Sequence, residues 1–143
     1  MIKIKEIQAV DTHAIRLKIL RNGISLPVEF NGDNNNDTVH LGAFKNKNLI
    51  AVSSFMKLSN KNILGNQYQL RGMAVLDNFQ GYGIGKLLLN EAINIFKKKN
   101  IDYIWCNARK AALNFYKKQG FQILGDEFQI QFIGEHFFMF KKL

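Results

Sequence analysis

Gln80-Gly81-Tyr82-Gly83-Ile84-Gly85-Lys86 lies where one sequence pattern stops and another begins, and its reading decides the fold. Upstream, Tyr68 to Leu76 has the apolar and aromatic content of a strand. Downstream, Lys86 to Lys99 reads as an amphipathic helix. Leu88, Leu89, Ala92, Ile93, Ile95 and Phe96 share one broad arc, while Asn90, Glu91, Asn94, Lys97 and Lys98 cover the other. Glycine at alternate positions of a strand-to-helix turn lets the backbone take positive φ and point successive N–H groups outward. The helix start adds its own unpaired donors. Such a nest suits a phosphate or pyrophosphate, and glycine at 81, 83 and 85 exceeds what a bare turn requires.

Spacing excludes two nucleotide motifs. The dinucleotide pattern G-x-G-x-x-G fails because the third glycine comes one residue early. Walker A needs four residues between its glycines and a Ser or Thr after the Lys; here three separate Gly81 from Gly85, and Leu87 follows Lys86.

Outward from this turn, Ile101 to Cys106 reads as a short buried strand, and Lys110 to Gln119 as a second helix closed by Gly120. Phe121 to Leu124 and His136 to Phe140 read as further strands. Upstream, Ile2 to Gln8 alternates as a strand. Asp11-Thr12 offers a cap for a helix ending near Asn22-Gly23. The alternation from Val39 and the run Leu49 to Leu58 flank the turn Lys45 to Asn48, an antiparallel hairpin. The polar tract Asn31 to Asp37 is expected to be a mobile loop. A strand–helix–strand crossover from Tyr68 to Cys106 forces one parallel pair. The expected class is α+β, a mixed and mostly antiparallel sheet flanked by helices.

Composition sets the outer bounds. A chain of 143 residues, 47% hydrophobic and 22% charged with one proline, fits a single domain over 1–143 and excludes a disordered or fibrous protein. No apolar run approaches the roughly 18 residues of a membrane span. The alternating N-terminus is no signal peptide. The lone Cys106 excludes an internal disulfide and a thiolate-rich metal site, so no metal is expected and a reducing cytoplasm is the expected home. The 20 Lys and Arg against 11 Asp and Glu give +9, which favours anionic partners. Much of that charge sits in solvated terminal runs such as Lys97-Lys98-Lys99.

Two blocks carry a family resemblance. Gln80-x-x-Gly83-x-Gly85 resembles the Q/R-x-x-G-x-G/A signature of the GNAT superfamily of acyl-CoA-dependent N-acetyltransferases. Ala112-Leu113-Asn114-Phe115-Tyr116-Lys117-Lys118-Gln119-Gly120-Phe121 is similar to the family's A-x-x-F-Y-x-x-x-G-F segment. The resemblance spans roughly residues 68–124 and implies a sheet whose parallel strands splay into a V that takes acetyl-CoA as cosubstrate. It implies that the backbone N–H groups of Gln80, Gly81, Tyr82, Gly83, Ile84, Gly85 and Lys86 hold the pyrophosphate. The strand edge at Met73, Ala74 and Val75 would pair with the pantetheine arm. Tyr116 takes the place of the family's general acid, and an N–H near Met73, on a strand bulge eased by Gly72, that of the oxyanion donor.

The chain also departs from the pattern. Many relatives carry a glutamate base on the central strand, where this one has Tyr68-Gln69-Leu70-Arg71, leaving His40, Glu127, His136 or a water chain. Arg109 stands where the family often has a CoA-contacting asparagine, with Asn107 and Asn114 nearby as further cofactor contacts. Arg71 is open to two roles, a clamp on an acidic substrate group or a structural salt bridge. Direct attack by an amine in a ternary complex is the expected chemistry, the acceptor being a small molecule or a peptide and the chain a monomer or homodimer. A catalytically silent CoA-binding regulator and a basic nucleic-acid-binding module are the alternatives. The second demands exposed aromatics on a basic stripe, whereas most of the 12 Phe fall on core-facing positions, so no nucleic-acid or membrane partner is expected.

Overall fold

A computed structural model describes residues 1–143. One eight-stranded sheet runs through it in the order β1-β2-β3-β4-β5-β8-β6, with β7 also paired to β8. The strands are β1 (Ile2–Glu6), β2 (Val39–Lys45), β3 (Asn48–Met56), β4 (Gln67–Val75), β5 (Tyr103–Arg109), β6 (Gln122–Ile123), β7 (Phe128–Ile130) and β8 (Gly134–Lys142). Every pairing is antiparallel except β4 with β5. No helix is long and apolar enough to cross a membrane.

Helix α2 (Ile84–Lys98) makes the crossover and covers one face of the sheet. Its apolar arc behaves as its spacing demands: Leu88, Leu89, Ala92 and Phe96 are wholly buried. Each of the larger three contributes about 1.5–3 kcal/mol by leaving water. Phe96 stacks on Tyr68 at 4.2 Å and meets Phe55 edge-on at 5.4 Å, which ties the helix to the middle of the sheet. The helix ends in a Schellman motif. Asn100 takes the left-handed position at φ 58, its N–H donates to Lys97 O, and the N–H of Ile101 donates to Phe96 O. Ile101 is therefore spent on the cap, and β5 starts two residues later than its apolar content suggests.

Helix α3 (Leu113–Lys118), preceded by the single turn Lys110–Ala112, ends the same way. Gly120 holds φ 88 and donates to Lys117 O, while Phe121 donates to Tyr116 O. The Phe121 ring lies 5.3 Å from that of Tyr116.

The opposite face carries α1, the helical run 9–20, built of a 3-10 turn (Ala9–Thr12), a short α piece (His13–Ile15) and a π turn (Arg16–Leu20). Its start lies upstream of the expected cap, because Gln8 N donates to Asp11 Oδ2 at 2.9 Å. In the π turn Arg21 N donates to Arg16 O, five residues back, and Arg16 is wholly buried.

Arg16 corrects the expectation of a mobile loop at Asn31 to Asp37. Its guanidinium meets Asp33 through two bonds of 2.7 and 3.0 Å, and donates to Val28 O and Ser54 Oγ at 2.8 Å each. Asp33 also accepts from Phe30 N, and its carbonyl oxygen lies 2.8 Å from His40 Nε2. The tract is a loop, pinned at its buried carboxylate. Burial pushes the Asp33 carboxyl up, but the bonds from Arg16 and Phe30 N–H and the nearby Arg16 and His40 charges outweigh it, and the net shift is downward.

Replacing Arg16 by Met strands a buried carboxylate, which costs about 3–5 kcal/mol. Urea denaturation is expected to show that loss at pH 7. The sign with pH follows from the lowered native pKa of Asp33. The pair stabilises fully above an unfolded aspartate's pKa near 4 and loses its contribution as pH falls through the depressed native value. The gap between wild type and Arg16→Met is expected to narrow at low pH, and a gap constant down to pH 2 excludes this account.

Candidate active site

The parallel pair β4–β5 is short. It runs only from Gln67 opposite Tyr103 to Gln69 opposite Trp105. Beyond it β4 stays with β3 as far as Val75, and β5 stays with β8 as far as Arg109. Between Arg71, opposite Ser54, and Ala74, opposite Val52, β4 has two residues where β3 has only Ser53. This is a bulge at Gly72-Met73, and Gly72 sits at φ 63. The added twist of a bulge turns the two strands apart. A Cβ on Gly72 would stand 2.7 Å from the Phe30 ring, so the position needs glycine for space as well as for conformation.

The parted strands open a cleft of about 280 Å³. Leu70 to Met73 form one wall and Cys106 to Arg109 the other, Tyr116 comes from α3, and Ile130, Ile133 and His136 come from the β7–β8 hairpin. That hairpin is anchored to the start of α3 by Lys110, which reaches Glu135 at 3.0 Å and Glu127 at 3.4 Å.

At the far end of β4 the glycine turn is open to solvent. Gly81 and Gly83 hold φ 85 and 78, and a Cβ on either would meet nothing within 4 Å. The first bond of α2 is Leu87 N to Gly83 O at 3.2 Å, so the N–H groups of Ile84, Gly85 and Lys86 have no helical acceptor. Those of Gly81, Tyr82 and Gly83 likewise find no loop acceptor. Gln80 does not join this row as expected: its backbone N–H is used within the preceding turn, donating to Asp77 O at 3.3 Å, and its side chain donates inward to Val75 O at 2.9 Å. Gly85 serves a different need: its φ is ordinary, and a Cβ there would press on Phe115 at 3.2 Å and on Met73 Sδ at 3.3 Å. Lys86 and Tyr82 are exposed, and Ile84 is buried under the helix.

Tyr116 is 8% exposed, between Phe115 and Phe121, and lines the cleft. Burial raises its pKa well above the ordinary tyrosine value, reinforced by Cys106 and opposed by the Arg109 charge. The phenol therefore stays protonated, and its hydroxyl is in none of the protein's side-chain hydrogen bonds. Burial also pushes the Cys106 thiol far up, so no thiolate is available for a covalent acyl-enzyme.

Of the other expected contacts, Asn107 is exposed on β5 and lines the cleft, as does half-buried Arg109. Asn114 is exposed on α3, outside the cleft lining. Ala74 packs away from the glycine turn with Ile15 and Val52, while Met73 and Val75 face α2. Of the base candidates, His40 has both ring nitrogens engaged, at 2.7 Å with Ser54 Oγ and 2.8 Å with Asp33 O. Glu127 is held by Lys110. Only His136 lines the cleft; its Nδ1 lies 2.7 Å from Gly134 O, which can only accept, so in the neutral ring Nε2 carries the lone pair.

The sequence matches the profile of the acetyltransferase (GNAT) family over residues 10–121. The chain belongs to the GNAT acetyltransferase family. It is similar to an uncharacterized N-acetyltransferase of Bacillus subtilis strain 168, YitI, with 34% identity over 145 residues, covering 100% of this chain and 97% of that protein. ElaA of Escherichia coli shares the fold with a TM-score of 0.81 at 17% identity, 99% of each chain being covered. A GNAT-family acetyltransferase of Staphylococcus aureus Mu50 does so at 0.78 and 22%, covering 100% of this chain and 99% of that one. As a GNAT member the protein is an acyl-CoA-dependent N-acetyltransferase.

Some lining residues had no signal in the sequence. Phe30 stands beside a polar tract that reads as solvated, and Arg21 at a helix end reads as a surface charge. Ile130 and Ile133 sit on a hairpin whose first strand, β7, is three residues long, too short for alternation to mark it.

Proposed function

We propose that residues 1–143 act as one catalytic domain transferring the acetyl group of acetyl-CoA to a primary amine by direct attack in a ternary complex. The observation that carries this reading is the parting of β4 from β5 after three residue pairs, with a protonated phenol beside the gap. Bare strand edge beyond Gln69 suits the amides of the pantetheine arm at Met73, Ala74 and Val75. The open N–H row from Gly81 to Lys86 suits the diphosphate. A backbone N–H at the Gly72-Met73 bulge meets the oxyanion as the amine adds to the thioester carbon. Tyr116 gives its proton to the departing sulfur, and His136 Nε2 takes the proton released by the amine. Asn107 and Arg109, expected as cofactor contacts, are assigned instead to the acceptor side, because they line the cleft with Leu20 and Arg21, and Arg109 donates to Leu20 O. Asn114 remains an outer cofactor contact. With its single reduced cysteine the enzyme suits a cytoplasmic setting.

Three substitutions and one pH profile test this. Gly83→Asp keeps the fold, because its Cβ meets open space, at about 1–2 kcal/mol for the left-handed backbone. Its carboxylate repels the diphosphate, and calorimetry is expected to show acetyl-CoA binding at least about tenfold weaker. Wild-type affinity removes the glycine turn from the site. Tyr116→Phe is expected to lower kcat by about 10²–10⁴ with acetyl-CoA affinity intact. Because the native phenol titrates above its ordinary value near 10, wild-type kcat is expected not to fall with rising pH below about 10. His136→Gln is expected to lower kcat with the KM for acetyl-CoA unchanged, and full turnover in stopped thiol-release assays takes His136 out of the proton path.

A further inference from the structure

The cleft is lined by three arginines and by no aspartate or glutamate. Arg71 comes from β4, Arg109 from the end of β5, and Arg21 from the end of α1. Phe30 supports two of them: its ring centroid lies 4.4 Å from the Arg71 guanidinium carbon and 5.5 Å from that of Arg21. Arg16 packs on the same ring at 3.8 Å, but its charge is already answered by Asp33.

The three lining guanidinium groups have no such answer. Arg71 is in no salt bridge and donates none of the protein's side-chain hydrogen bonds, although it is only part-exposed. That excludes the structural salt bridge left open by the sequence. Arg21 donates to the carbonyl oxygens of Pro27 and Leu20, and Arg109 only to that of Leu20, at 3.5 Å. Each guanidinium has five donors, so most remain free. The carboxylates nearby are committed elsewhere, Asp33 to Arg16, and Glu127 and Glu135 to Lys110. The cluster also repels itself. Burial lowers the pKa of all three; the Arg16 and Arg21 charges lower Arg71 further against an opposing pull from Asp33, and Arg109 and Arg16 lower Arg21, while Tyr116 opposes the shift of Arg109. Partly desolvated like charges with no carboxylate in direct contact are held at a free-energy cost that a bound anion lowers.

That anion is distinct from the cofactor diphosphate. The glycine turn follows the far end of β4, and Met73, just past Arg71, faces α2 and Gly85, whereas Arg71 turns to Phe30 on the α1 face. Arg109 meets Arg21 at the carbonyl oxygen of Leu20, to which both donate, and Asn107 lines the same cleft. Resting on the acetyl-transfer reading above, we infer that the acceptor is an amine that also carries a carboxylate or comparable anion, gripped by Arg71 with Arg21 and Arg109 while the amine reaches the thioester. A planar fork matches a carboxylate through two parallel bonds, which favours a free amino acid or a short peptide. The same field disfavours polyamines and aminoglycosides, whose extra cations would enter among three arginines.

The test is thiol release at saturating acetyl-CoA from matched acceptors: a panel of amino acids, the corresponding amides, and the corresponding decarboxylated amines. Aminoethyl phosphate against ethanolamine, and spermidine, complete the set. The expected result is kcat/KM at least about tenfold higher for the carboxylates than for their neutral partners, with spermidine poorest. A preference for aminoethyl phosphate over the carboxylates assigns the subsite to phosphate and overturns the carboxylate choice. Arg71→Met is expected to erase the preference while calorimetric acetyl-CoA affinity stays at the wild-type value, which also reports folding, and Arg71→Lys is expected to restore only part of it. Equal use of neutral and anionic amines, or a preference for spermidine, overturns the inference and leaves acetyl transfer standing. Loss of acetyl-CoA affinity in Arg71→Met overturns it too, because the arginines then serve the cosubstrate. Tight acetyl-CoA binding with no thiol released from any amine fails the acetyl-transfer reading itself.

Discussion

Three backbone pairings, Gln67 to Gln69 against Tyr103 to Trp105, join the two halves of the sheet directly, and the rest of the molecule is arranged around that short seam. Parallel strands need a covering crossover, and α2 supplies it. Phe96 lies on Tyr68, itself in the seam, so the helix holds the halves together where the backbone ladder is briefest. On the opposite side Trp105 Nε1 donates to Leu58 O at 2.9 Å, fastening β5 to the chain leaving β3. With the base of the gap secured on both faces, its upper part can stay open without unravelling the sheet.

The two faces of the sheet are built by different physics. The α2 side is a continuous apolar core of ordinary aliphatic and aromatic packing. The α1 side has a small apolar patch of Ile15, Val52 and Ala74 beside a buried ion pair. A buried pair is weak evidence for stability, because desolvation consumes much of its attraction. What it does here is positional: Arg16 links the π turn, the Val28 to Asp33 loop and Ser54 of β3 into one polar knot. Phe30 rides on that knot and becomes the platform for two cleft arginines, Arg71 and Arg21.

Much of this was legible in the chain itself. Local signals worked where a local cause decided the structure, as in the apolar arc of α2, the turn at Lys45 to Asn48, the glycines that need positive φ at 81 and 83, and Gly120 closing α3. The two family-like blocks located the parted strands and Tyr116. Reading failed where the deciding partner was distant in sequence. Asp33 sits in a tract of asparagines whose composition says solvent, and only Arg16, 17 residues upstream, draws it inside. Ile101 has a strand residue's character, yet Asn100 adopts the left-handed position usually left to glycine and makes Ile101 part of a cap. Arg71 was ambiguous because periodicity shows that a residue faces inward, not what waits there.

Gly85 joins three elements at one point. With hydrogen in place of a side chain, the first turn of α2 lies against Met73 of β4 and Phe115 of α3 at once. Phe115 neighbours Tyr116 on a helix of six residues, too short to bend independently. The row of amides at the helix start, the bulged strand edge and the phenol are thus triangulated like the legs of a tripod. A shift of any one leg is passed to the others through hard van der Waals contact, so the spacing between the helix-start amides and the phenol is a matter of rigid mechanics rather than of separate adjustments.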